Sequence, residues 1–207
     1  MSPRGRSAAE GKRAAILDAA LQLFGRYGYK RTSIDDIAGE AEIAKGTVYL
    51  SFKSKEEIFR ALCEEIIRRI ETEAERARNS NGPLAGRILA ILEAKFGFYF
   101  ERVRSSPHAA ELMDSKSRLS AGLFEKSDRR YQRILREVIE EAAARGEIVP
   151  ARVGLGAAAI TELLLSGARG LELAAATAAA FHRRLAELVR VVLAGLGAPS
   201  NEGATLA

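Results

Sequence analysis

The spacing of apolar residues along the chain predicts an all-α protein. Apolar positions recur three and four residues apart through most of the sequence, which is the period of one helix face. About nine helices are expected, and they lie near residues 9–27, 33–41, 44–53, 54–78, 83–103, around 112, 120–145, 153–176 and 178–195. The clearest break is the run from Asn79 to Pro83, because its Asn, Ser, Gly and Pro residues favour a turn.

The stretch from Thr32 to Lys55 is predicted to form two short helices joined by a tight corner. Ser33 is a suitable residue to cap the first of them. Asp35 and Asp36 follow in the first turn, where carboxylates favour the positive end of a helix. The apolar stripe of this first helix ends near residues 39–41.

The second short helix begins around Ala44 and has an unusual outward face. Val48 and Phe52 lie four residues apart and can anchor the helix inward. The other side carries Lys45 on its flank, then Gly46, Tyr49 and Leu50. A glycine inside a helix costs roughly 1 kcal/mol relative to alanine. Either the glycine is tolerated in a small helical corner, or another molecule, most naturally the major groove of DNA, approaches the bare backbone there.

The N-terminal residues complete this region. Residues 1–9 are expected to be a flexible polar arm with Arg4 and Arg6, either lying in a minor groove or disordered. The helix at 9–27 then packs on the two short helices. Three helices in this order are typical of a helix-turn-helix domain, whose third helix reads DNA.

The same region carries a specific set of residues in one register. They are Arg13, Ile16-Leu17, Ala19-Ala20, Leu23-Phe24, Gly28-Tyr29, Thr32-Ser33, Ile37-Ala38, Ala41, Ile43, Gly46-Thr47, Tyr49, Phe52 and Lys55-Glu56. This pattern resembles the N-terminal signature of the TetR/AcrR family of bacterial transcriptional repressors. The resemblance covers about a quarter of the chain. It implies a helix-turn-helix domain over residues 1–53, a ligand-binding and dimerisation domain over 54–198, and a disordered tail over 199–207.

The resemblance also implies which residues contact DNA. Phosphate contacts are expected from Ser33, Thr47, Tyr49 and Lys55, and base contacts from Lys45 and Gly46. A common family pattern has a second aromatic residue after Tyr49 and then His, whereas this chain has Leu50 and Ser51. We expect this departure to alter the operator sequence and to leave DNA binding intact.

The helix predicted from residue 83 is apolar on more than one side. Four of the thirteen aromatic residues of the chain lie within Phe96–Phe100. They either pack in a core or contact a ligand, which in related repressors binds among the helices of this domain. The candidate ligand contacts are Phe96, Tyr99, Phe100, Met113 and Phe124. A small hydrophobic or amphipathic effector is expected.

The last two predicted helices, 153–176 and 178–195, are apolar, so their apolar faces must be buried against another surface. Gly167 and Gly170 permit close backbone approach. The two helices either close their own domain or pair with the same helices of a second chain in a four-helix interface. The resemblance supports the second arrangement, a homodimer.

Composition adds a small positive charge and no membrane signal. The chain has 207 residues, of which 29% are charged, and a formal net charge of +5. Residues 1–60 carry eleven Lys and Arg against eight Asp and Glu, as expected for a region that meets phosphate. There is neither an apolar run of about 20 residues nor a signal-peptide core at the N-terminus. We therefore expect a cytoplasmic protein without a membrane partner.

The sequence contains no pattern of an enzyme or a metal site. Cys63 is the single cysteine, so it cannot form an intrachain disulfide, and its helix position predicts a small buried hydrophobe. His108 and His182 are far apart and have no paired ligand at helical spacing. No nucleophile–base motif, carboxylate pair or phosphate-binding glycine loop is present, so no catalysis, cofactor or metal is expected. A helical scaffold that does not bind DNA is the alternative, and the run from Gly46 to Tyr49 argues against it.

The expected function is therefore ligand-responsive transcriptional regulation. A dimer would bind a palindromic double-stranded operator, and the effector would release it. Repression is the expected outcome at the promoter.

Overall fold

The computed structural model describes residues 3–104 and 106–197, and this part of the chain contains helices and no strand. Eight α-helices follow one another: α1 (Pro3–Tyr27), α2 (Ile34–Glu40), α3 (Lys45–Ser51), α4 (Lys55–Arg78), α5 (Leu84–Leu92), α6 (Ala109–Ala144), α7 (Ala157–Ala174) and α8 (Ala178–Gly195). The all-α prediction is confirmed. The predicted tail at 199–207 lies outside the described residues.

Helices α5 and α6 depart from the regular helices that the sequence predicts. Helix α5 continues into two π-helical segments, Glu93–Gly97 and Tyr99–Arg104. Helix α6 bends at Ser120, whose φ of −146° and ψ of 16° are not helical. The bend coincides with the predicted start of a helix at residue 120. With α6 counted as two helices, the number predicted from the sequence agrees with the structure.

The first helix starts earlier than predicted. Residues 1–9 were expected to form a flexible polar arm, whereas α1 begins at Pro3. The physical reason is local: proline suits the first position of a helix, and the following Ser, Ala and Glu residues tolerate helical geometry well. The end of α1 is as predicted, because Gly28 follows with a φ of +85°, the left-handed conformation that terminates many helices.

The contacts within the chain divide it into two compact units. The first takes the chain up to Arg68 together with Arg102–Glu125, and the second takes Arg69–Glu101 together with the chain from Lys126 onward. The functional division at residues 53 and 54 stays a prediction.

The core of the first unit fixes α1, α2, α3 and the beginning of α4 against one another. Three aromatic rings, those of Phe24, Tyr29 and Phe59, lie with their centres 5.1–5.7 Å apart in tilted and edge-on pairs. Val48 and Phe52 are both buried, which confirms that α3 is anchored through the residues predicted from their spacing. The opposite face of α3 is thereby turned away from this core.

The corner between α2 and α3 is a Schellman-type helix end. The amide of Ile43 donates to the carbonyl of Ala38 over 3.0 Å, and the amide of Glu42 donates to that of Gly39 over 3.1 Å. Glu42 adopts a φ of +54°, which is uncommon for a residue with a side chain. Helix α3 therefore leaves this corner in one defined direction.

The second unit has its own apolar core, with α5, α7, α8 and the C-terminal part of α6. The rings of Phe100 and Phe181 stack in parallel with their centres 5.1 Å apart. The buried Tyr131 hydroxyl donates to the carbonyl of Ile91. Lys95 forms an ion pair of 2.6 Å with Asp128. The aromatic residues of the π-helical segments are thus largely used in packing.

Candidate nucleic-acid interface

Helix α3 presents an exposed face that the first unit does not use for its own packing. Tyr49 is 49% exposed and Leu50 is 88% exposed. Lys45 and Gly46 are exposed beside them, and Thr47 is half-buried. The structure therefore brings Lys45, Gly46, Thr47 and Tyr49 together on one short helix, as the sequence predicted.

The space beside Gly46 is open. A Cβ atom built at this position would meet no other residue within 4 Å beyond the helix's own backbone. Its backbone conformation is an ordinary helical one, which any amino acid can adopt. Within the described residues, neither packing nor backbone geometry therefore requires a glycine here.

Lys45 forms an ion pair across the helix corner. Its Nζ atom lies 2.7 Å from Oδ1 and 3.0 Å from Oδ2 of Asp35 in the first turn of α2. The hydrogen bond to Asp35 and the charge of that carboxylate raise the pKa of Lys45. Both side chains are exposed, so this pair contributes little to stability and can be exchanged for another anion.

Ser33 is the N-cap of α2 in a complete capping box. Its Oγ atom accepts from the Asp36 amide over 3.1 Å and donates to Asp36 Oδ2 over 2.7 Å, while the Ser33 amide donates to the same carboxylate oxygen over 2.8 Å. The hydrogen bond from the Ser33 hydroxyl, and after it the bond from the Ser33 amide, lower the pKa of Asp36. The sequence predicted the cap, and the structure adds the return bond that the Ser33 amide donates to the Asp36 carboxylate.

Lys55 lies at the start of α4 and bonds to the turn between α1 and α2. Its Nζ atom donates to the carbonyls of Tyr29, Thr32 and Lys30 over 2.8, 2.9 and 3.3 Å. An ammonium group has three N–H donors, so these carbonyls engage all of them. The structure thus places Lys55 inside a network of its own unit, and its phosphate contact stays a prediction.

The same turn is held by a second interaction that the sequence analysis missed. Thr32 is buried, and its hydroxyl donates to the carbonyl of Gly28 over 2.8 Å. The adjacent Arg31 and Lys30, and Lys53 beyond α3, have exposed side chains. These three cations were not singled out from the sequence. A signal was available, because basic residues directly before and after the two short helices favour phosphate contacts.

The candidate ligand contacts do not come together within one unit. Phe96 and Phe100 are buried and Tyr99 is half-buried in the second unit. Met113 is exposed and Phe124 is half-buried in the first unit, where the Nζ atom of Lys116 lies 4.0 Å from the centre of the Phe124 ring. The ligand site therefore stays a prediction.

The remaining chemistry of the chain is sparse. Burial raises the pKa of the Cys63 thiol to about 11, so this cysteine is protonated at neutral pH. In the part of the chain that the structure describes, no three His, Cys, Asp or Glu side chains are placed to hold a metal ion. None of the described helices is both long and apolar enough to cross a membrane.

Comparison with known proteins supports the reading of α2 and α3. A family model described as bacterial regulatory proteins of the tetR family matches residues 16–62. YhgD of Bacillus subtilis (strain 168), an HTH-type transcriptional regulator, is 25% identical over 155 residues, which are 75% of this chain and 81% of that protein. The HTH-type transcriptional regulator AcrR of Shigella flexneri is 36% identical over 64 residues, which are 31% of this chain and 30% of that protein.

A solved structure extends the likeness to the whole fold. The TetR family transcriptional regulator PfmR from Thermus thermophilus superposes with a TM-score of 0.63 at 20% identity, covering 87% of this chain and 98% of that chain. The matched residues 16–62 contain α2 and α3 and therefore the exposed residues Lys45, Gly46, Tyr49 and Leu50. Residues 16–62 match the DNA-binding domain of the tetR family of bacterial regulatory proteins, and these comparisons together support a DNA-binding transcriptional regulator of the TetR/AcrR type.

Proposed function

We propose that the protein is a homodimeric repressor that binds a palindromic operator and is released by a small hydrophobic or amphipathic effector. The observation that carries this proposal is the open backbone at Gly46, beside the exposed Tyr49 and Leu50. A glycine inside a helix lowers the stability of that helix relative to alanine, and exposed apolar side chains beside it add nothing to the core of the unit. Both are explained if α3 lies in a major groove.

Each α3 docks with Lys45 and Gly46 facing base edges. Lys45 exchanges Asp35 for an acceptor on DNA, which is an easy exchange because their ion pair is exposed. Thr47 and Tyr49 contact phosphates on the flanks of the groove, and Ser33 does so at the start of α2. Lys55 assists by holding the turn that precedes Ser33. The exposed Arg31 and Lys53 are further cations for the phosphate backbone.

The dimer forms through α7 and α8. Leu163 and Leu173 on α7 and Val191 on α8 are large apolar residues with more than half of their surface exposed. A Cβ atom built at Gly170, on the same helix as the two leucines, meets nothing within 4 Å. Exposed apolar surfaces of this kind are typical of protein–protein interfaces, and the same helices of a second chain would bury them. A two-fold axis then requires half-sites spaced by whole helical turns.

The effector binds within residues 54–198 and favours the conformation that does not fit the operator. An effector that bound both conformations equally would leave the equilibrium unchanged. Of the aromatic candidates, Tyr99 is the best placed for a contact, because Phe96 and Phe100 are buried in packing. Helix α4 is the mechanical link, since only residues 52–54 separate it from α3.

In vitro selection from a library of random duplexes tests this proposal. The purified protein should enrich a palindrome, and sedimentation should show a dimer in free solution and at least two chains on each recovered duplex. Absence of enrichment at low salt, or a monomeric protein bound to a single half-site, would reject the proposal.

A further inference from the structure

Gly46 and Leu50 lie one helical turn apart on the exposed face of α3. Leu50 is the most exposed of the large apolar residues among those that the structure describes, at 88%. Leucine at such a position contributes nothing to the core of the first unit. Its presence at the centre of the DNA-facing surface needs a separate explanation.

The two residues together form a small apolar notch. Side chains in an α-helix lean toward its N-terminus, so that of Leu50 leans toward the turn that contains Gly46. Apart from its two chain neighbours and the nearby helix backbone, no atom of the described residues lies within 4 Å of the Cβ position of Gly46, so the Leu50 side chain does not fill this space. Bare backbone on one side and an isobutyl group on the other therefore border an open depression, which we call the Gly46–Leu50 notch.

The charge and hydrogen-bonding capacity around the notch are low. Within α3 the only ionised side chain is that of Lys45, on the flank, and it is paired with Asp35. The helix contains no Arg, Asn or Gln, the residues that read guanine or adenine through paired hydrogen bonds. The base feature that an apolar side chain recognises in the major groove is the C5 methyl group of thymine.

We propose that the Gly46–Leu50 notch receives the C5 methyl group of a thymine in each operator half-site, and that Leu50 is thereby a specificity-determining residue. The inference rests on the proposed operator binding through α3. It explains the glycine and the leucine together, since a Cβ at position 46 would occupy the place of the methyl group. It also explains how a helix with a single charged side chain discriminates between sequences.

Deoxyuridine substitution tests the notch by removing one methyl group from the DNA. The probe is a duplex recovered by selection with the wild-type protein, in which each thymine is replaced in turn by deoxyuridine. Substitution of the thymine at one position in each half-site should weaken binding by about fourfold, which is the value expected for the loss of one buried methyl group. Replacing that thymine by cytosine should weaken binding further, and 5-methylcytosine should restore part of the loss.

The variant Leu50→Ala identifies the side chain that detects the methyl group. It should bind the thymine and deoxyuridine duplexes with equal affinity, whereas Gly39→Ala, a change at the exposed glycine of α2, should retain the fourfold difference. Folding is not in question for the central measurement, because the wild-type protein alone reports the effect of deoxyuridine.

The outcomes separate this inference from the proposed function. If the wild-type protein enriches no duplex, operator binding through α3 fails first. If it binds a selected duplex and no deoxyuridine changes its affinity, the notch does not receive a methyl group although the repressor assignment stands. The same conclusion follows if Leu50→Ala remains as sensitive to deoxyuridine as the wild type.

Discussion

The Nζ atom of Lys55 lies 4.6 Å from the centre of the Tyr29 ring and donates a hydrogen bond of 2.8 Å to the main-chain carbonyl of the same residue. Two further bonds, to Lys30 and Thr32, tie the start of α4 to the turn before α2. The position of the capping residue Ser33, next to Thr32, therefore depends on a side chain more than twenty residues later in the chain.

Removal of this ammonium group should cost stability before it costs DNA contacts. Lys55→Ala leaves three carbonyls without their donor, and hydrogen bonds to charged groups contribute about 2 kcal/mol. We expect a lower free energy of unfolding by roughly that amount, measured by urea denaturation. Operator affinity should fall as well, because the turn that presents Ser33 is loosened.

Salt dependence distinguishes this role from a phosphate contact. A lost phosphate contact lowers the slope of log affinity against log salt by about 1. For Lys55→Ala the slope should stay unchanged, whereas it should fall for Lys53→Ala, whose exposed side chain follows α3. If the slope for Lys55→Ala falls by about 1 and stability is unchanged, Lys55 contacts a phosphate directly, as the sequence predicts.

The capping box of α2 gives a prediction that depends on pH. Ser33 lowers the pKa of Asp36 below its ordinary value of 3.8, so the pair stabilises the fold above that pH and loses its effect as pH falls through the lowered pKa. Ser33→Ala should move the pKa of Asp36 back toward 3.8, as followed by carboxyl NMR. The difference in stability between variant and wild type should shrink below about pH 3.8. An unchanged Asp36 titration would show that the hydroxyl does not hold this carboxylate.

Cys63 should be inert in the folded protein. Burial is the main cause that raises the pKa of its thiol, from 9.0 to about 11, and only the thiolate is a good nucleophile. At about pH 8 a disulfide reagent such as DTNB should react slowly with the native protein and rapidly in guanidinium chloride. Stability should decrease as pH rises from 9 toward 11, because the unfolded state loses the thiol proton first. Rapid labelling of the native protein would contradict the buried position.

The exposed face of α7 and α8 predicts how the dimer can be disrupted. Leu173 is 68% exposed, and a glutamate there would place charges on both sides of the proposed two-fold axis. Leu173→Glu should yield monomers in sedimentation velocity and weaken operator binding, because the two half-sites are no longer linked. Leu155→Glu, the same change at an exposed leucine before α7, is the control and should remain dimeric. Persistence of the Leu173→Glu dimer would place the interface elsewhere.

The local pattern of the sequence was sufficient to predict the parts of the fold that depend on near neighbours. Spacing four residues apart identified Val48 and Phe52 as the anchors of α3, and therefore the outward direction of Tyr49 and Leu50. Ser33 was identified as the cap of α2 from its place before an apolar stripe. In each case the pattern that carries the prediction lies within one or two turns of the same helix.

Contacts between distant parts of the chain could not be predicted in this way. The carbonyls that engage Lys55 belong to a turn that only the packed first unit brings to α4. The π-helical segments after α5 were expected as regular helix. In the structure the hydroxyl of Tyr131, forty residues away, donates to the carbonyl of Ile91, just before the first of these segments. A contact of this kind is visible only in three dimensions.

Operator binding through α3 depends most directly on the bare backbone at Gly46. Fluorescence anisotropy should be used to titrate a selected duplex with wild-type protein, Gly46→Ala, Gly46→Glu and the control Gly39→Ala, which changes an exposed glycine of α2 that also has open space around it. Both alanine variants should be as stable as the wild type or up to about 1 kcal/mol more stable. We predict that Gly39→Ala binds like the wild type, Gly46→Ala binds at least tenfold more weakly, and Gly46→Glu forms folded dimers without operator affinity. Wild-type affinity in Gly46→Glu would contradict the central claim that DNA contacts α3 at this residue.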